Sequence, residues 1–159
     1  MSDERKLKSA FTLIELIAVL VVLAILSGVA LPKYFDYTAR AKSSALQGAL
    51  GGVRTAISNF YVNSAVDGEP QYPTLDELNT QGTVMQEPIP VNPYNNLNLV
   101  ANANANQAAN RKVNANLNAG WRYHVKNNST PPVAIFYANT NDETSVEDAA
   151  GDPVPANEL

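Results

Sequence analysis

Phe11–Leu31 reads FTLIELIAVLVVLAILSGVAL, and among these 21 residues only Thr12, Glu15, Ser27 and Gly28 are not clearly apolar. Wound as an α-helix, such a run reaches ~31 Å, against a bilayer hydrocarbon core of roughly 30 Å. A core helix of a soluble protein is usually amphipathic and shorter. A chain of 159 residues also has little material with which to cover so many apolar positions. The run therefore predicts one membrane-spanning helix. A secretory signal peptide cut near Gly28-Val29-Ala30 is the alternative, but its apolar region is usually only about 7–15 residues long and has no use for a carboxylate.

Glu15 is that carboxylate. An ionised side chain at the bilayer centre costs ~2.5–3.5 kcal/mol on insertion scales, which makes an intramembrane acid a functional residue by default. Glu15 lies four residues into the run, so it can stay near the headgroups, close to the positive end of the helix dipole.

Composition removes most other functions. Charged residues make up 16% of the chain, and the net charge is −4. No basic stripe exists to neutralise phosphates, so no nucleic-acid binding is expected. The chain has no Cys and a single His, His124, which excludes disulfide frameworks, thiol catalysis and multi-histidine metal sites. G-x-S-x-G, P-loop and G-x-G-x-x-G motifs are absent, so no catalytic residue, cofactor or enzyme activity is expected.

Lys6-Leu7-Lys8-Ser9-Ala10-Phe11-Thr12-Leu13-Ile14-Glu15-Leu16 resembles the leader junction of type IV pilins and of the pseudopilins of type II secretion. In that family a short basic leader ends in a small residue and is followed by Phe-Thr-Leu-Ile-Glu and an apolar helix. Pro32 stands where the family commonly has a proline within the long helix. The resemblance covers residues 6–35 firmly. It implies that prepilin peptidase cuts between Ala10 and Phe11 and then N-methylates the Phe11 amine. Ala10 occupies a position at which the family nearly always has Gly. The resemblance also implies assembly roles for Phe11, Glu15 and Pro32. The ammonium freed at Phe11 of one subunit would pair with the Glu15 carboxylate of its neighbour. Outside water such a pair gains strength, whereas an unpaired buried charge costs several kcal/mol, so subunits out of register are penalised. Three basic residues before the span (Arg5, Lys6, Lys8) balance three after it (Lys33, Arg40, Lys42). The inward orientation of the leader thus follows from the cleavage motif and not from charge.

Beyond Pro32, which removes a helical hydrogen bond and kinks the helix without necessarily ending it, Leu46, Leu50, Val53, Ile57 and Phe60 recur at alternating spacings of 4 and 3. They predict an amphipathic continuation over 32–63 that seats a small sheet. Thr74-Leu75-Asp76-Glu77 predicts a capping box opening a short helix closed by Gly82. Tyr72–Leu78 is also similar to a segment common in pseudopilins. Between Asn92 and Asn118, eleven of 27 residues are Asn and large apolar residues are few, which predicts a solvated surface loop. Trp121–Val125 and Val133–Tyr137 predict strands joined by a hairpin connection over 126–132. His124 is expected as a surface or packed residue. The acidic end (Asp142, Glu143, Glu147, Asp148, Asp152) is expected as a solvated tail. Major pseudopilins are known for a calcium site near this end, so the resemblance raises calcium, but no ligand spacing here matches a loop motif.

The expected architecture is α+β: a leader (1–10), a transmembrane assembly helix (11–31), its amphipathic continuation (32–63) and a small domain (64–159) in which the helix packs on a small antiparallel sheet. The implied function is a structural subunit of a pilus-like filament, most similar to a major pseudopilin of a type II secretion system. Its partners would be further copies of itself in a helical homo-oligomer, prepilin peptidase, the inner-membrane assembly platform and minor pseudopilins. It would cross the bacterial inner membrane once, with its globular part in the periplasm. Lack of the carboxyl-terminal disulfide loop of many adhesive pilins favours the pseudopilin. A single-pass anchored binding module that never polymerises is the competing class.

Overall fold

A computed structural model describes residues 11–159. The expected leader, including Arg5, Lys6, Lys8 and Ala10, lies outside the described residues. The fold is α+β, and its contacts divide the chain into two units between Thr38 and Ala39.

In the first unit, helix α1 (Leu13–Val66) begins, and every described residue up to Thr38 is exposed. The apolar run has no protein core to face. Pro32 stays inside the helix, so it does not terminate it.

The second unit has its own core. Helical residues Leu46, Leu50, Val53 and Ile57 are buried, as the 4–3 spacing predicts, while Phe60 is only half-buried. The helix runs three residues past the expected Asn63. Against these side chains sits a three-stranded sheet of β1 (Val100–Asn102), β2 (Trp121–Lys126) and β3 (Val133–Ala138), in that order. The hairpin β2–β3 is antiparallel and pairs Trp121 with Ala138 and His124 with Ile135. Strand β1 lies parallel to β2, so the sheet is mixed and not wholly antiparallel. Alternation puts Trp121 and Tyr123 on the face toward α1. The Trp121 and Phe136 rings stack at 5.3 Å, and Trp121 Nε1 donates to Pro90 O at 2.8 Å. Tyr123 is buried, and its hydroxyl donates to Pro73 O, so the phenol sits in the core with its polar atom satisfied.

Helix α2 (Leu75–Asn79) carries the expected reciprocal capping box between Thr74 and Glu77, and Gly82, at φ +86°, lies in the turn beyond it. Two expectations are corrected. The Asn-rich segment is not simple solvated filler: it contributes β1 and helix α3 (Ala105–Ala109), and it buries Val100, Ala103 and Ala108. A capping box in which Asn104 and Gln107 bond each other's main chain opens α3, which is why a polar sequence forms a helical turn there. Asn92 and Asn139 are also buried. The acidic end is not a loose tail either, because β4 (Glu143–Glu147) and β5 (Pro153–Pro155) pair antiparallel. Thr144 Oγ1 ties them by donating to Val154 O at 2.7 Å.

Candidate functional site: the amino-terminal helix

Phe11 precedes the helix and is 89% exposed. Thr12 and Glu15 then bond each other. Glu15 Oε2 accepts from Thr12 N and from Thr12 Oγ1, both at 2.8 Å, and Glu15 N donates to Thr12 Oγ1 at 3.3 Å. This is a capping box built on the Ser/Thr-x-x-Glu pattern, and it satisfies two of the main-chain donors that a helix leaves unpaired at its start. Only Oε2 is engaged; among the described residues Oε1 has no hydrogen-bond partner. Glu15 can therefore hold its own helix start with one oxygen and present the other to an incoming cation.

Along the next turns Leu16, Ile17, Val19, Leu20, Val22 and Leu23 are all about half exposed. Within the 18-residue window apolar enough to cross a membrane, no residue is buried. Water is a poor environment for such a surface at ~25 cal/mol per Å² of exposed apolar area, so lipid or other helices must cover it. Beyond Pro32 come Tyr34, Phe35 and Tyr37, each exposed by 66–67%. They sit at the end of the apolar run, next to Lys33, where aromatic and basic side chains anchor a helix at the membrane surface. The sequence held this signal unread: three aromatics within four positions directly after a membrane-length run.

The other sequence candidates lie elsewhere. His124 is half-buried, and its Nδ1 lies 2.8 Å from Ala103 O, so it ties β2 to the segment after β1. At the acidic end, as elsewhere among the described residues, no three His, Cys, Asp or Glu side chains converge. The Asp148 carboxylate is turned to main-chain donors instead, accepting at Oδ1 from Ala150 N at 2.8 Å and Asp152 N at 3.0 Å.

Residues 5–31 match the family model described as the prokaryotic N-terminal methylation motif. The chain is 43% identical over 60 residues to the type IV major pilin protein PilE of Neisseria gonorrhoeae, covering 38% of this chain and 36% of that one. It is 39% identical over 62 residues to the fimbrial protein EcpC of Eikenella corrodens, covering 39% and 40%. With the type IV major fimbrial protein FimA of Dichelobacter nodosus the identity is 37% over 65 residues, covering 41% and 42%. The amino-terminal part of the chain is thus similar to the type IV pilins. The matches span 36–42% of the length of these three curated relatives. No solved structure matches the chain. The methylation motif places Phe11, Thr12 and Glu15 inside the matched residues, and the capping geometry supplies a physical reason for Thr and Glu at that spacing. The pilin-like half of α1 is thus an apolar surface whose first turn carries one half-engaged carboxylate.

Proposed function

We propose that this chain is the structural subunit of a type IV pilus-like filament. Prepilin peptidase cuts between Ala10 and Phe11 and methylates the Phe11 nitrogen. The subunit waits in the bacterial inner membrane with residues 11–31 spanning the bilayer and residues 39–159 on the periplasmic side. The assembly platform then extracts it into a helical homo-oligomer. Neighbouring apolar helices cover one another, and the Phe11 ammonium of one subunit bonds Glu15 Oε1 of the next. Pro32 frees one carbonyl in the helix, where the rod can adjust its curvature as it packs. The observation that carries this reading is Glu15 Oε1, without a hydrogen-bond partner among the described residues, at the head of an uncovered apolar helix.

Within that class we favour a major pseudopilin of a type II secretion system, with minor pseudopilins as further partners. The absence of Cys and the pseudopilin-like segment Tyr72–Leu78 support this, although the curated relatives are named as pilins and fimbrial proteins. Two measurements test the proposal. Mass spectrometry of assembled material is expected to show N-methylated Phe11 as the first residue. Glu15→Val is expected to insert into membranes normally yet give no filaments by electron microscopy, whereas Thr12→Val, which loses only the cap, still assembles. Filaments from Glu15→Val, or assembled subunits that keep the first ten residues, overturn the proposal. Loss of protein secretion rather than of surface fibres on deletion separates the pseudopilin from the pilus.

A further inference from the structure

Arg122 is 1% exposed, although strand alternation puts it opposite Trp121 and Tyr123, on the face of the sheet turned away from α1. Over that face lies α3, which packs on β2. The guanidinium carries five N–H donors. Among the described residues it has one partner, Gln107 Oε1 on α3, which accepts from Nη2 at 2.8 Å. Nε and Nη1 are buried without any. Loss of hydration at a charge is offset inside a protein only by a counter-charge or by full hydrogen bonding. Arg122 has neither, so the closed arrangement carries a penalty that water removes as soon as α3 lifts.

The hold on α3 is also slight and separate from the main core. Its apolar contacts are those of Ala103 and Ala108 with Tyr137 and Ile135, a cluster distinct from the one beneath Trp121 and Tyr123. A helix of five residues does not persist without packing. Both ends of the segment are tethered. Ala103 N donates to Tyr123 O, and Ala103 O lies 2.8 Å from His124 Nδ1. At the other end Arg111 O accepts from Asn157 Nδ2 at 2.8 Å. Arg111 has a left-handed backbone at φ +47°, a conformation that Gly usually supplies after a helix and that other residues hold at a cost. The Tyr137 hydroxyl lies within reach of both Gln107 O and Lys112 O, at 3.2 and 3.1 Å, so it keeps a partner if Gln107 departs. The geometry points to residues 104–110 forming a strap that opens as a unit between these tethers while the core beneath Trp121 stays folded. Opening turns Arg122 from a hidden cation into a solvated one. It needs neither a partner nor a filament, so it stands or falls separately from the function proposed above.

Hydrogen exchange of the full chain in detergent micelles, followed amide by amide by NMR, tests the strap. The Gln107, Ala108 and Asn110 amides are bonded at Asn104 and Asn106, whereas those of Trp121 and Asn139 are bonded at Leu99 and Gly120. The first group is expected to be protected about a hundredfold less than the second. Its exchange is also expected to respond little to dilute urea, because a local opening exposes little surface. Arg122→Met keeps an unbranched side chain of similar reach without the charge. It orphans no acceptor, since Gln107 Oε1 still accepts from Asn104 N at 3.0 Å. The variant is expected to slow exchange at Gln107, Ala108 and Asn110 by about tenfold or more, with Trp121 fluorescence as in the parent. Strap amides that share the protection and urea dependence of Trp121 and Asn139 in the parent overturn the proposal, because the segment then opens only with the whole unit. Unchanged or faster strap exchange in Arg122→Met, or a variant that does not fold, overturns it too, because the buried guanidinium then does not favour opening.

Discussion

Among the glycines Gly120 alone stands where an added Cβ would meet other atoms within 4 Å. Its N–H donates to Leu99 O, and its carbonyl accepts from Asn139 N and from the Asn92 side chain, both at 2.9 Å. A Cβ built there would stand 1.9 Å from Leu97 O and 2.7 Å from Leu97 C, which are backbone atoms that cannot swing aside. Gly120→Ala is therefore expected to lower stability by about 3 kcal/mol, toward the upper end of overpacking effects. Gly51, on α1, has nothing within 4 Å of its added methyl, and Gly51→Ala is expected to raise stability by about 0.5–1 kcal/mol. Denaturant midpoints of the two variants, moving in opposite directions, check the pair; equal shifts would refute the packing argument. Nothing in the local sequence marks Gly120, because its partners Leu97, Leu99, Asn92 and Asn139 all lie far from it along the chain. Buried Asn92 and Asn139 are hidden for the same reason. Composition counts them with the exposed asparagines, but Asn139 bonds Asn114 through both its oxygen and its nitrogen and also reaches Ala119 O.

Among the elements, those whose cause is local were legible and those whose cause is distant were not. The stripe on α1, the β2–β3 hairpin and the cap of α2 follow from spacing within a few residues. The same capping rule that gives Thr74–Glu77 also fits Thr12–Glu15 and Asn104–Gln107, yet the apolar run concealed the first and the Asn-rich composition the second. Strand β1 has three residues and exists because β2 pairs with it in parallel, a partner no short window contains. The β4–β5 hairpin is held at its turn by Asp148, whose carboxylate accepts N–H bonds from Asp152 and Ala150. Those bonds favour the charged form and hold its pKa below the ordinary 3.8. The unfolded chain then binds more protons than the folded one as acid is added, so stability rises with pH through this range. The contribution is complete above the ordinary aspartate range and is withdrawn as pH falls through the lowered folded value. The Asp148 carboxyl carbon, followed by NMR, is expected to titrate below an unperturbed aspartate, with the Ala150 and Asp152 amide shifts moving in step. Asp148→Asn should remove that acid transition of the two amides. An ordinary midpoint with stationary amides would show that the turn does not depend on the charge.

The two units divide the physics of the chain between two solvents. Every described residue up to Thr38 is exposed, so this stretch adds nothing to the packed interior of residues 39–159. That interior draws on α1 from Ser43 onward. Ser43 Oγ lies 3.0 Å from the Tyr94 hydroxyl and accepts from Ser145 N at 2.8 Å, and Leu46, Leu50, Val53 and Ile57 lie beneath Trp121 and Tyr123 in one cluster. The first ordering contacts of the carboxyl-terminal unit thus begin four residues after its boundary at Ala39. This part of α1 is held by an apolar face buried against the sheet, which is the larger source of helix stability in folded proteins. A chain starting at Ala39 is accordingly expected to stay in solution without detergent, to unfold in one cooperative transition and to keep the blue-shifted emission of buried Trp121. Residues 11–38 alone are expected to partition into lipid vesicles as a helix and to be insoluble in buffer. Differential centrifugation, circular dichroism and tryptophan fluorescence read all of these outcomes. If the shortened chain aggregates or its Trp121 emission shifts to that of a solvated indole, the apolar half of α1 supports the fold of the second unit and is not only the assembly surface proposed above.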